Sequence, residues 1–250
     1  MRYFLELSYY GKAYHGWQIQ PNAITVQEVI EDALKILLKD NISLVGAGRT
    51  DAGVHALQMF AHFDTDVTLN KDDLIYKLNS LLPKDIAVNS LFQVPKDAHA
   101  RFGALSREYL YRVSTRKDVF NVDLTYLVTH ELDIKQMNIA ANTLLTYRDF
   151  QCFSKSNTDV KTYHCMIYHA EWKLIGHELQ FHIKADRFLR NMVRAIVGTL
   201  INVGLGKIDV NDLHRIIKSK DRGEAGYSVP AHGLFLKEIL YPESIIEYES

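Results

Sequence analysis

Gly48-Arg49-Thr50-Asp51-Ala52-Gly53-Val54-His55-Ala56 sets a carboxylate, a guanidinium and an imidazole around two glycines. Just before it, the apolar run Ile42-Ser43-Leu44-Val45 reads as a short strand, so Asp51 stands on a loop at a strand's end. Glycines here supply a tight backbone that residues with a Cβ resist. A carboxylate held beside an arginine stays ionised at neutral pH, which suits a nucleophile or an electrostatic stabiliser better than a general acid. The same letters admit a plainer use, in which Asp-Ala-Gly is an ordinary turn and Arg49 ties down a surface loop.

Outward from this loop the chain alternates strand and helix patterns. Phe4 to Tyr9 reads as a strand, and Tyr10 to Gln20 as an aromatic, glycine-containing loop in which Trp17 suits either stacking on a ligand or the core. From Thr25, the positions Val26, Val29, Ile30, Ala33, Leu34 and Leu37 fall at helical spacing, with Thr25 and Glu28 as a capping box. Beyond the loop, His55 to Met59 is predicted to open a short helix and Phe60 to Phe63 a strand. Leu69 to Leu81 follows as a helix ended by Pro83, then Ile86 to Phe92 as a strand.

The character changes at His99-Ala100-Arg101-Phe102-Gly103-Ala104-Leu105-Ser106-Arg107, where a domain junction is expected. In Glu108-Tyr109-Leu110-Tyr111-Arg112-Val113 the strand period puts Tyr109, Tyr111 and Val113 on one face. Helices are expected at Ile134 to Leu145, Phe188 to Gly204 and Asn211 to Lys218. Paired strands are expected at Tyr163 to Glu171 and Glu178 to Ile183, with a late strand at Leu234 to Leu240. This order predicts an α+β fold with an N-terminal domain over 1–104 carrying the aspartate loop and a C-terminal domain over 105–250.

With 250 residues, 47% of them hydrophobic, the chain can bury a core of its own, and only 5 prolines argue against a proline-rich linker. No stretch has the order of a signal peptide or the length and apolarity of a membrane span. Cys152 and Cys165 lack metal-ligand spacing and are too few for a disulfide scaffold, which points to a reducing cytoplasm. Cys165 beside His164 is a poor nucleophile candidate, because neighbours in a strand point to opposite faces. A net charge of −1 excludes indiscriminate coating of nucleic acid but leaves room for a focused basic site. Neither a dinucleotide fingerprint, a Walker lysine nor a compact zinc motif is present, so cofactor-free chemistry is expected.

Five segments together resemble the tRNA pseudouridine synthase A family: Gly16-Trp17-Gln18 with Gln20, the Gly48 to Ala56 loop, and Ala100-Arg101-Phe102 leading to Arg107-Glu108-Tyr109. The other two are Phe188-Leu189-Arg190-Asn191-Met192-Val193-Arg194 and Gly233-Leu234-Phe235-Leu236 with Tyr241-Pro242. They occur in the family's order and span nearly the whole chain. The resemblance implies the pseudouridine synthase fold, two α/β subdomains with mostly antiparallel sheets meeting at a central cleft. It implies isomerisation of uridine to pseudouridine at positions 38, 39 and 40 of the anticodon stem-loop of tRNA, without cofactor or metal, by a homodimer whose clefts are shared between subunits.

Carried over residue by residue, the resemblance makes Asp51 the attacking carboxylate, at the ring or at the sugar carbon. It makes Arg49 its partner and a wedge in the RNA stack, and Tyr109 the surface and proton acceptor for the flipped uracil. Arg194 corresponds to a second arginine at the site and Leu236 to the apolar residue that closes over the base. Arg101, Arg107 and Arg190 are candidates for the phosphate backbone, and His55 lies in the substrate-binding set. Flipping a stem uridine costs a few kcal/mol, the scale that an inserted guanidinium and an aromatic platform offset. The chain departs from the family pattern at Arg187 and at Tyr163-His164-Cys165, away from the chemistry. The ser-rich polar stretch 154–159 is expected near substrate. Two alternatives stand beside the synthase: a non-catalytic tRNA-binding protein or folding aid, and an enzyme acting on a free nucleoside.

Overall fold

A computed structural model describes residues 1–155 and 160–247; part of the polar stretch expected near substrate, 156–159, lies outside the described residues. The chain has an α+β fold and forms two compact units. One comprises Met1–Ser106 together with the residues from Leu236 onward, the other Arg107–Phe235. The chain therefore passes between units twice, where the sequence suggests one passage at 104/105.

In the first unit, β1 (Arg2–Tyr9) is the central strand. Next come α1 (Val26–Leu38), β2 (Val45–Gly46), β3 (His55–Asp64), α2 (Lys71–Leu81) and β4 (Ile86–Val94). β1 pairs antiparallel with β3 on one side, Tyr3 opposite Phe63, and with β4 on the other, Phe4 opposite Phe92. α1 starts where expected, because the Thr25 hydroxyl accepts the Glu28 N–H, and it buries Val26, Ile30, Ala33 and Leu34. α2 is capped by Asn70, and its Asn79 amide exchanges two 2.8 Å bonds with the backbone of Val88 on β4, the outer strand of the sheet among the described residues.

Two expectations fail here for physical reasons. His55 to Asp64 is one continuous strand, not a helix followed by a strand. His55, Ala56 and the run Met59 to Phe63 are all buried, so the strand shows no alternation for sequence analysis to detect. The strand expected at Ile42 to Val45 contracts to Val45–Gly46, opposite His62 and Ala61, while Ile42 and Leu44 are buried without strand pairing.

The second unit holds β5 (Ser106–Ser114), β6 (Tyr126–Leu127), α3 (Ile134–Thr143), β7 (Ile167–Ile175), β8 (Glu178–Ala185), α4 (Met192–Gly204) and α5 (Val210–Ser219). β8 lies between β5 and β7, antiparallel to both, and β6 runs parallel to β5. β8 alternates half-buried and buried along its length, as a strand with one covered face does. α4 is buried nearly all round, the mark of a helix inside a core, and α5 begins with an Asp209–Asp212 capping box. α4 starts at Met192 rather than Phe188, because Asn191 takes a left-handed φ of 67° that no α-helix continues through. The segment 163–166 stands outside β7, contrary to expectation; His164 forms an isolated bridge with Asp149, the Cys165 N–H donates to the Arg148 carbonyl at 2.9 Å, and the Met166 N–H donates to Asp186 Oδ1 at 2.7 Å.

β9 (Leu234–Leu240) carries the chain back to the first unit, and α6 (Glu243–Ile246) follows. There the Ile239 N–H donates to Gln58 Oε1 at 2.9 Å and the Leu105 N–H to the Leu240 carbonyl at 2.8 Å. Tyr241 lies edge-on to Phe4 and Phe60, with ring centroids 5.3 and 5.2 Å away, and its hydroxyl donates to the Ala100 carbonyl at 2.5 Å.

Candidate functional site

In the first unit, Asp51 is half-buried on a loop held from several directions. Ala47 N–H donates to the Phe60 carbonyl at 2.7 Å, closing the loop's entry onto β3. On the other side, Gly53 N–H donates to the Tyr14 carbonyl and Val54 N–H to the Asp51 carbonyl, both at 3.2 Å. Thr50 is the middle anchor. Its carbonyl accepts the Trp17 N–H at 3.3 Å and its hydroxyl bonds the Tyr9 hydroxyl at 2.8 Å.

Gly16 and Gly53 make the approach of these two loops possible. Both have left-handed backbones, at φ 89° and 76°, and a Cβ on Gly16 would run into the Thr50 carbonyl. Trp17, 2% exposed, is core: its indole lies against Gly46 and its ring faces Tyr9. Arg49 is exposed on the same loop, so its guanidinium head stands in solvent within two residues of Asp51.

His55 is 1% exposed. Its Nδ1 accepts the Gly11 N–H at 2.9 Å, which assigns the neutral ring's proton to Nε2, and Tyr10 stacks on it with centroids 4.7 Å apart. This imidazole acts inside the loop scaffold.

Arg101 is exposed, on a turn that two histidines build. His99 Nδ1 accepts the backbone N–H of Arg101 at 3.1 Å and lies 3.4 Å from that of Phe102, while His62 Nδ1 accepts the Ala100 N–H at 3.1 Å. The Arg101 guanidinium sits 5.5 Å over the ring of Phe102, itself 76% exposed. Leu236 is buried in the first unit's share of β9.

The remaining candidates belong to the second unit. Tyr109 is half-buried on β5 opposite Ile183, and Phe188 meets it edge-on, centroids 5.2 Å apart at 89°. Tyr111, two residues on and on the same face, is fully buried and donates to the Pro230 carbonyl at 2.9 Å. Burial pushes its phenol well above the ordinary range, and the nearby Arg194 charge pulls the other way, so Arg194 shares that neighbourhood. Arg194 is half-buried on the first turn of α4 and donates from Nε to the Val229 carbonyl at 2.7 Å. Beside it, Asn191 and Arg222 both donate to the Ser228 hydroxyl, at 2.6 and 2.8 Å.

Arg107 donates to the Asp186 carbonyl at 2.8 Å, whereas Arg190 is exposed and its carbonyl accepts the Lys155 N–H. Cys152 and Cys165 are buried, and burial pushes both thiols up to about 12, which leaves them protonated and unreactive. Among the described residues, no three His, Cys, Asp or Glu side chains converge as metal ligands.

Fold and loop together define an α+β protein that presents one carboxylate from a braced loop. The chain belongs to the tRNA pseudouridine synthase family, whose model matches residues 7–103 and 140–242. It is similar to the tRNA pseudouridine synthase A of Parabacteroides distasonis, 53% identical over 251 residues that cover 99% of each chain. Its similarity to the protein of that name from Bacteroides thetaiotaomicron is 52% identity over 252 residues, 100% of this chain and 94% of the relative. To that from Bacillus subtilis it is 40% identity over 245 residues, 96% of this chain and 99% of the relative.

Proposed function

We propose that this chain isomerises uridine to pseudouridine in tRNA, at positions 38, 39 and 40 of the anticodon stem-loop, with Asp51 as the attacking carboxylate. The observation that carries this reading is the brace around Asp51. Thr50 is tied through both its carbonyl and its hydroxyl, and the Asp51 carbonyl is taken by Val54, so the carboxylate stands on a backbone with little freedom. A nucleophile held in this way meets its target without first being ordered.

The reaction breaks the bond between N1 of uracil and C1′ of ribose and forms one between C5 and C1′. Asp51 adds to the ring or to the sugar carbon; either adduct lets the base turn until C5 faces C1′. Asp51 is expelled from C1′ as the new bond forms or from C6 as the C5 proton leaves; that proton departs by way of Tyr109, and N1, freed from C1′, takes one up, so none is gained or lost overall. Nothing is oxidised or reduced. Arg49, exposed beside Asp51, enters the stack that the uridine vacates, and Arg194 supplies charge from a stem clasped to Val229. Arg101, Arg107 and Arg190 bind phosphates, Leu236 covers the base, and His55 acts indirectly by holding the loop. A homodimer sharing each site lets a near-neutral chain align basic surfaces of two copies along one tRNA in the cytoplasm.

The test is tritium release from tRNA transcript labelled at uracil C5, by wild type and Asp51→Asn, with the modified positions mapped afterwards. Release by wild type alone is expected. Turnover by Asp51→Asn would sink the assignment, and tight tRNA binding without release by wild type would make the protein a binder only.

A further inference from the structure

We propose that Tyr9 and Thr50 are a positioning pair for the reaction: their hydroxyls, bonded at 2.8 Å in the interior of the first unit, set the direction in which Asp51 presents its carboxylate. The inference rests on the reading of Asp51 as the attacking group, and it adds two residues that touch neither base nor sugar.

Both partners are buried, 4% and 8% exposed, and they come from segments 41 residues apart. Packing alone does not require hydroxyls there, since a phenylalanine at the first position and a valine at the second would fill the same space. Tyr9 ends β1, just beyond a change of register against β3: Leu7 faces Met59, yet Tyr9 faces Ala56. One extra residue therefore lies on β3 at Leu57–Gln58, a bulge that re-aims the start of the strand fed by the Asp51 loop. The Tyr9 ring lies 6.3 Å from that of Trp17, and Trp17 N–H holds the Thr50 carbonyl. Thr50 is thus gripped at its carbonyl by one residue and at its hydroxyl by another that packs on the first.

Asp51 follows directly, so a rotation about the Thr50 backbone would swing its carboxylate away from the base. Displacements of about 1 Å in a reacting group cost on the order of a hundredfold in rate. The hydroxyl bond opposes that rotation.

Tyr9→Phe and Thr50→Val each delete one hydroxyl at almost unchanged volume, and Thr50→Ser keeps the hydroxyl. These three, the Tyr9→Phe/Thr50→Val double variant and Asp51→Asn are compared by tritium release from C5-labelled tRNA and by thermal melting. Each single deletion is expected to lower kcat about tenfold and leave KM for tRNA within about twofold, because the loop is misaimed while the RNA-binding surface is intact. Thr50→Ser should turn over like wild type. The double variant should be no slower than the slower single one, since both remove the same bond.

Wild-type kcat in either deletion variant, with Asp51→Asn inactive, overturns the pair while leaving the aspartate assignment standing. A double variant whose loss multiplies those of the singles also overturns it. So does failure of both single variants to fold, which would make the bond a stability contact. Turnover by Asp51→Asn removes the underlying reading instead, and the two failures are told apart.

Discussion

Arg194 donates from Nε to the Val229 carbonyl at 2.7 Å, and the Val229 N–H returns a 3.2 Å bond to the Arg194 carbonyl. The residue is clasped at both ends, so its guanidinium leaves α4 in a fixed direction. Lysine has one compact ammonium and no second nitrogen to spend on Val229. Arg194→Lys is expected to lower kcat about a hundredfold, the scale for losing one aligned charged donor, and to lower the melting temperature by a few degrees because the buried Val229 carbonyl loses its donor. Rate assays beside a thermal melt check this; a wild-type rate would mean that the guanidinium serves structure alone.

Tyr109 and Phe188 meet edge to face, and this contact survives removal of the Tyr109 hydroxyl. Tyr109→Phe therefore separates platform from proton transfer. Expected are an unchanged fold, tRNA affinity close to wild type and a kcat lower by about a hundredfold or more, the range for one general acid–base group. Turnover at the wild-type rate would reduce Tyr109 to packing.

His62 makes stability depend on acid. Burial, reinforced by the Arg2 charge, pushes its pKa from 6.5 down to about 4. As pH falls through 6.5 the unfolded chain takes up a proton that the folded ring refuses, so stability is complete above that pH and declines until about pH 4. His99, lowered by burial and by Arg2 as well, contributes in the same direction. The His62 share is roughly 3 kcal/mol at most. His62→Gln keeps an acceptor for Ala100 and should flatten the decline; urea unfolding at pH 7, 6 and 5 measures it. Equal slopes for variant and wild type would exclude His62 as the source.

Arg112 and Glu178 form a two-pronged ion pair across β5 and β8, at 2.8 and 2.6 Å, with side chains 21% and 20% exposed. The Arg112 guanidinium also lies 5.6 Å from the Phe235 ring. Burial pushes the Glu178 carboxyl up, but its bonds from Arg112 and Gln180 outweigh burial and hold it below the ordinary value. Glu178→Gln is expected to cost about 2 kcal/mol of unfolding free energy, between exposed and fully buried pairs. Turnover should be unaffected, because Arg112 points to the β5 face opposite Tyr109. A fall in kcat without a fall in stability would contradict this.

What was legible in the sequence depended on how local each determinant is. Thr25 caps the helix that begins at Val26, and the apolar run of Leu234 to Leu240, interrupted only by Lys237-Glu238, marks its strand to the residue. The first half of β3 buries His55 and Ala56, exposes Leu57 and buries Met59 again, a spacing that the bulge at Leu57–Gln58 creates and that mimics a helix. The helical period runs back through Phe188 and Leu189, and only the left-handed backbone of Asn191 stops the helix short of them. At the candidate site, Asp51 and Arg49 stand out because they share one short segment. Tyr9, Thr50 and Trp17 do not, since strand pairing brings them together from distant positions. The Arg112–Glu178 pair is equally hidden, because its members lie 66 residues apart and only the pairing of β5 with β8 brings them together.

The first unit is sewn from both sides of the second in sequence. During synthesis the ribosome releases β1 to β4 and the Asp51 loop first, then the whole of 107–235, and only afterwards Leu236–Leu240 and Tyr241. Until then Gln58 has no Ile239 to receive, Ala100 no Tyr241 to hold, and Phe4 and Phe60 lack the ring that covers them. The second unit is continuous in sequence, whereas the first is completed only by its last segment. Translation stopped at Phe235 would release a chain carrying Asp51, Tyr109 and Arg194 but lacking the ring that packs on Phe4 and Phe60 and the hydroxyl that holds Ala100.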